Sequence, residues 1–213
     1  CCLVAAAAIL PSTVGRAAAP AEEPRSYADI LRELTDLDRL TFLQKGCKGG
    51  LFSSWDRNGR KVWGANGDAG HYLRVEPNGE AVMADIDGPG VIYRIWSANP
   101  MGKLRLYLDG AQTPTYEWNF PDLFGGKLPP FEAPFVYRRD AEQSASDCYL
   151  PIPFAAHIKI TADKAHGQYY QFNYVLFPKE RPVASFRLPL SPEEARVLAC
   201  LLYTSPSPRD RTS

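Results

Sequence analysis

Residues 84–100 read ADIDGPGVIYRIWSANP, and this stretch decides the fold class. Gly88, Pro89 and Gly90 are turn formers, while Val91 to Trp96 is rich in β-branched and aromatic residues, so the spacing predicts a strand opening from a tight turn. Strict alternation along a strand puts Val91, Tyr93 and Ile95 on one face and Ile92, Arg94 and Trp96 on the other. The second face is therefore mixed. A guanidinium there has two uses. It pairs with a carboxylate while Trp96 enters the core, or it helps line a groove that receives a polar ligand.

The same pattern extends on both sides. Leu104, Leu106 and Leu108 alternate with Lys103, Arg105, Tyr107 and Asp109, and Asp109-Gly110 marks a tight turn. In QYYQFNYVLF (168–177), Tyr170, Phe172, Tyr174 and Leu176 form an apolar face. Further strands are expected at 71–75, 81–86, 115–120, 149–161 and 183–188. Short strands separated by proline-rich excursions such as FPDLFGGKLPPFEAPF, in a chain with 19 Pro and 16 Gly, favour an all-β, two-sheet Greek-key sandwich. A jelly roll over residues 49–198 is the predicted domain.

Helices flank it. Ser26-Tyr27-Ala28-Asp29 reads as a capping box, and Ile30, Leu34, Leu37 and Leu40 recur at helical spacing to about residue 42, which makes 22–48 an amphipathic helix and linker. Its apolar stripe suits the main domain or a partner subunit. Ser191-Pro192-Glu193-Glu194 opens a second helix. The closing CLLYTSPSPRDRTS loses this periodicity and resembles translated adapter sequence, so 199–213 is set apart from the fold. Residues 1–21 resemble a secretory signal peptide without its basic start: an apolar run precedes an A-x-A site at Ala19-Pro20-Ala21. The run is too short to span a bilayer. A secreted or periplasmic protein, truncated at both ends, is the expectation.

With 24 basic and 24 acidic residues the chain carries no net charge, and its scattered cations give no field for nucleic acid. Cys47, Cys148 and Cys200 lack metal-ligand spacing, and His71, His157 and His166 stand isolated in sequence, so neither a metal nor a cofactor is expected. A Cys47–Cys148 bridge stays open.

Four ordered blocks carry a family resemblance: FSSWDRNGRKVWGANGDAGHYLRVE (52–76), ADIDGPGVIYRIWSANP (84–100), KLRLYLDG (103–110) and YLPIPFAAHIKI (149–160). In order and spacing they resemble the N-terminal half of glycoside hydrolase family 172, formerly domain-of-unknown-function family 2961. The resemblance implies two jelly rolls per protomer, homo-oligomeric assembly, and retaining action on α-linked furanosides such as fructofuranosides or arabinofuranosides. It also implies catalytic glutamates in the second jelly roll, in EGDE-like and GTEDYFG-like segments that do not occur here. The nearest echo is KLRLYLDGAQTPTYEWNFPDLFGG (103–126), whose Glu117 does not fall at a catalytic position.

A retaining glycosidase needs two carboxyl groups roughly 5 Å apart, one with a raised pKa. Asp56, Asp68, Asp85, Asp87, Glu117, Asp122 and Glu132 are dispersed, so no catalytic residue is assigned within this chain. Candidate sugar contacts are Trp55, Asp56 and Arg57, with Arg94 and Trp96, because aromatic rings stack on sugars while carboxylate and guanidinium groups bond hydroxyls. Two other readings of a jelly roll compete: a non-catalytic carbohydrate-binding module, for which Trp55 and Trp63 speak, and a structural assembly protein.

Overall fold

The computed structural model describes residues 23–57, 68–138, 145–163 and 169–204, and they form a two-sheet β-sandwich. The signal-like segment 1–21, Trp63, His166 and residues 205–213 lie outside the described residues. One sheet has six strands. β1 (Lys48–Ser53), β11 (Tyr170–Leu176), β4 (Gly90–Ser97), β8 (Ser146–Cys148) and β7 (Val136–Arg138) lie side by side, and β9 (Ile152–Phe154) pairs with the start of β4. The five-stranded sheet runs β2 (Arg74–Val75), β3 (Glu80–Asp87), β10 (His157–Asp163), β5 (Lys103–Leu108) and β6 (Tyr116–Asn119). All pairings are antiparallel. From β3 to β4 to β5, and again from β9 to β10 to β11, the chain crosses between sheets, as a jelly roll requires.

Strict alternation fails in β4, and the failure shapes the molecule. Asn173 lies opposite Arg94 while Tyr174 lies opposite Ile92, so Tyr93 is an extra residue in a β-bulge. Ile92 and Ile95, three residues apart, thereby both enter the core between the sheets. Ile92 thus parts from Arg94 and Trp96, contrary to the alternating reading. Val91 and Tyr93 pack outside the sheet against Ile30, Phe177 and Val183. At the turn before β4, a Cβ on Gly90 would lie 2.6 Å from the Phe154 ring and 2.9 Å from the Val175 carbonyl oxygen, so only glycine fits.

Leu104, Leu106 and Leu108 lie opposite Ala162, Ile160 and Ile158 across the β5–β10 ladder, and Tyr170, Phe172 and Phe154 come from the other sheet to meet them. Each such side chain contributes roughly 1.5–3 kcal/mol on burial.

Several boundaries differ from the sequence reading. Helix α1 (Tyr27–Glu33) has the expected Ser26–Asp29 capping box but stops well before residue 42. A separate 3₁₀ turn, Leu37–Thr41, follows; Asp36 caps it, and none of its residues is buried. Segment 149–161 splits into β9 and β10, one per sheet. Segment 183–188 is extended yet joins the structure through a bridge of Val183 to Arg25 and through Tyr116, whose hydroxyl meets the Phe186 carbonyl and the Leu188 N–H. β1, β7 and β8 were unforeseen: paired glycines mask the first, and three residues each are too few to show a period for the others.

A short helix, α2 (Phe120–Leu123), follows β6. The last helix, α3 (Pro192–Thr204), continues past residue 198 because Leu198 and Leu201, one turn apart, both bury in the main core. Cys148 is enclosed in that core, where burial pushes its thiol up to about 12, and Cys47 lies at 3.5 Å from an Arg181 guanidinium nitrogen. Both thiols are free, which closes the question of a bridge. No described helix is long and apolar enough to cross a membrane.

Truncating Ile95 to Ala should lower the unfolding free energy by about 2–5 kcal/mol, whereas Leu40→Ala in the exposed turn should change it by less than ~0.5 kcal/mol. Urea denaturation of the two variants side by side checks both values.

Candidate functional site

The outer face of the six-stranded sheet is half covered and half open. Helix α1 and the chain after β11 cover Val91, Tyr93 and Val175. Beyond the bulge the face is open, and strand register lines up its side chains. One row crosses five strands: Ser53, Gln171, Trp96, Asp147 and Tyr137. At the usual strand spacing this row is ~19 Å long, the span of a short oligosaccharide. Beside it lie Leu51, Asn173 and Arg94, with Tyr149 adjacent.

Arg94 organises this face. Its Nε donates to Asp147 Oδ1 at 2.9 Å, and one terminal nitrogen donates to Gln171 Oε1 at 2.9 Å and to Asn173 Oδ1 at 3.4 Å. The Asp147 side chain is only 5% exposed, so the pair is the structural Asp–Arg contact considered for this position. Trp96 is half-buried on the outer face and does not enter the core. Above Arg94, the Tyr149 ring lies 6.0 Å from the guanidinium carbon and stacks with Tyr137 at 6.3 Å. Aromatic rings thus flank amide and guanidinium groups fixed by one another, an arrangement suited to stacking on a sugar while bonding its hydroxyls.

Trp55, Asp56 and Arg57 leave the end of β1 that carries Ser53, the same end of the sheet as Trp96. Trp55 is 54% exposed, with the Arg57 guanidinium 5.7 Å from its ring. Arg57 folds back to donate to the Ser53 carbonyl at 2.9 Å. Asp56 turns inward: its side chain is largely buried, and one oxygen lies 3.9 Å from His71 Nδ1. The five candidates therefore divide, with Trp55, Arg57, Arg94 and Trp96 at one sheet end and Asp56 directed beneath it. Gln171 and Asn173 were legible as the polar alternates of β11. Asp147 and Tyr137 had no signal, because their strands are too short, and Tyr149 follows β8 outside any strand.

The five-stranded sheet has a different outer face, held by ion pairs. Arg105 donates to Glu117 at 2.7 Å and to Asp163 at 2.9 Å, and the Tyr107 hydroxyl donates to Glu80. His157, isolated in sequence, meets Asp85 through Nε2 at 2.7 Å, and Arg74 holds the other Asp85 oxygen. Lys159 places its ammonium 4.3 Å from the Tyr107 ring centre, and these groups line a recess of about 230 Å³. Burial raises the Asp85 carboxyl, but hydrogen bonds from Arg74 and then His157 outweigh it and hold the acid below its ordinary value. Glu117 is likewise held low, first by Arg105 and then by Lys103. Asp122 is lowered first by Asn119, and Asp29 first by Ser26. These four carboxyls are displaced opposite to the direction a glycosidase acid/base requires. Among the described residues, no three His, Cys, Asp or Glu side chains converge as a metal site.

Comparison with known proteins adds one finding of identity. The family model described as the GH172 first beta-sandwich domain matches residues 45–194, more than half of the chain. It takes in every strand from β1 to β11 and the first turn of α3. No curated protein matches the chain.

Replacing Arg94 by Ala strands a buried Asp147 carboxylate and should cost about 1–3 kcal/mol in urea unfolding, while Arg94→Met with Asp147→Leu should recover most of the loss. Asp85 sets a pH dependence. Its folded value lies below the unfolded one, so its contribution is complete above the unfolded value near ~3.9 and disappears as pH falls through the lower folded value. Stability measured across the acid range should lose that decline in Asp85→Asn.

Proposed function

This chain belongs to the GH172 family, whose first β-sandwich domain it carries, and on that premise we propose that it is one wall of a secreted or periplasmic glycoside hydrolase acting with retention on α-linked furanosides, fructofuranosides or arabinofuranosides. The observation that carries the reading is the open half of the six-stranded sheet, where Trp96, Tyr137 and Tyr149 alternate with Arg94, Gln171 and Asn173. Furanose rings present an apolar edge for stacking and hydroxyls for the amides. Arg94 is committed to Asp147 and positions Gln171 and Asn173 rather than reacting.

The reacting pair, a nucleophile and an acid/base roughly 5 Å apart, comes in this reading from a second sandwich domain beyond this chain. Two features support that division: the matching model describes a first domain, and Asp85 and Glu117 are tied to cations that keep them ionised. The apolar run before Ala19-Pro20-Ala21 supports export.

Exposed Trp55, backed by Arg57, favours a second reading in which this domain binds carbohydrate without a catalytic partner. Activity and binding separate the two. The chain alone should show no turnover of aryl α-furanosides, and no calorimetric binding of fructan or arabinan oligosaccharides. Protein extended through the following domain should turn the furanosides over. Turnover by this chain that an acid-to-amide substitution within it abolishes would sink the proposal, and tight unaided binding would favour the second reading.

A further inference from the structure

The hydrogen bonds of Arg94 fix more than its own position. A guanidinium has only donors, so the atoms of Gln171 and Asn173 that meet it must be their oxygens, Oε1 at 2.9 Å and Oδ1 at 3.4 Å. An amide whose oxygen is engaged in this way turns its N–H groups elsewhere. Both residues are half-buried on the open half of the six-stranded sheet, and neither amide nitrogen donates to an acceptor among the described residues. Two positions apart on β11, they project from one face at a spacing of ~7 Å.

This face therefore has a hydrogen-bond polarity. The hydroxyls of Ser53, Tyr137 and Tyr149 can turn either way, but the two amides offer donors and no acceptor. The one carboxylate of the row, Asp147, is enclosed and taken up by the Arg94 Nε. A sugar hydroxyl set against the amides brings a proton that they cannot accept. A carboxylate brings lone pairs and no proton, and its bonds to N–H donors are roughly twice as strong as neutral ones. Charge points the same way. Arg94 and Asp147 cancel, so an anion on this row meets oriented dipoles and no exposed carboxylate. A monoanion suits such a surface better than a phosphate dianion, which calls for uncompensated cations.

We propose that Gln171 and Asn173 are a specificity-determining pair that reads the carboxylate of a uronic acid residue in the bound glycan, with Trp96, opposite Gln171, stacking on its ring. This rests on the reading of the face as a glycan wall and adds the class of sugar it receives, an acidic residue beside the furanoside.

Heteronuclear NMR of the whole chain reads the two side-chain amides directly, with Gln171→Glu and Asn173→Asp assigning them by loss of signal. Methyl α-galacturonoside should shift both signals, and its neutral counterpart, methyl α-galactoside, should bind at least ~10-fold more weakly, the loss expected of a hydrogen bond to a charged group. Gln171→Glu keeps an oxygen for Arg94 but removes the donors. It should leave the circular dichroism unchanged and weaken the uronoside at least ~10-fold, read from the Asn173 amide. In Arg94→Met with Asp147→Leu the amides are free to rotate, and the preference for the uronoside should shrink. Equal affinity for the neutral galactoside would overturn the carboxylate pair while leaving the glycan wall in place. So would a response to sodium acetate as strong as to the uronoside, or undiminished binding in Gln171→Glu. No shift with either sugar overturns the proposal too, and the wall is then judged by the turnover of the extended protein.

Discussion

The structure depends on a parity problem in β4. Ile92 and Ile95 must both reach the space between the sheets, yet residues three apart on a regular strand face opposite ways. One additional residue, Tyr93, resolves the conflict through a bulge. Bulges re-aim side chains as well as bending strands. Here the same insertion turns Arg94 and Trp96 outward together, beside Gln171 and Asn173 of β11, whose alternation is unbroken. Packing inside the sandwich and chemistry outside it are thus two results of one local choice.

The two outer faces then diverge because of what lies on them. On the five-stranded sheet, Arg74, Asp85, Glu80, Arg105, Glu117, His157 and Asp163 pair with one another, leaving fixed charges that a sugar would have to displace. On the six-stranded sheet one nearly enclosed carboxylate, Asp147, takes up the Arg94 charge. What remains exposed is aromatic and amide surface. The proposal that a sugar binds on the six-stranded sheet rests on this difference in desolvation cost, since displacing hydrogen-bonded ion pairs is far more expensive than displacing water from rings and amides.

Much of the sandwich was legible in the sequence because β5 and β11 each present a period of two over six or more residues. The position of Ile92 was not, since a bulge leaves no mark in a single chain and appears only in the register with a neighbour. Length set a second limit: β7 and β8 hold three residues each, so Tyr137 and Asp147 could not be anticipated. Asp85 and His157 are 72 positions apart, and only the β3–β10 ladder unites them. Leu201 shows a further limit. The composition around it looked alien, while its spacing from Leu198 obeyed the helix that buries it.

On the proposed function, the bulge in β4 aims a wall that faces the sugar. This is tested most directly in protein extended through the proposed second sandwich domain, by comparing kcat/KM on an aryl α-furanoside for Trp96→Ala and for Asp85→Asn. Trp96→Ala should lose at least ~10-fold, on the scale of a lost stacking contact with the ring, and Asp85→Asn on the opposite sheet should change little. Unchanged kcat/KM in Trp96→Ala, with a loss in Asp85→Asn, would contradict it.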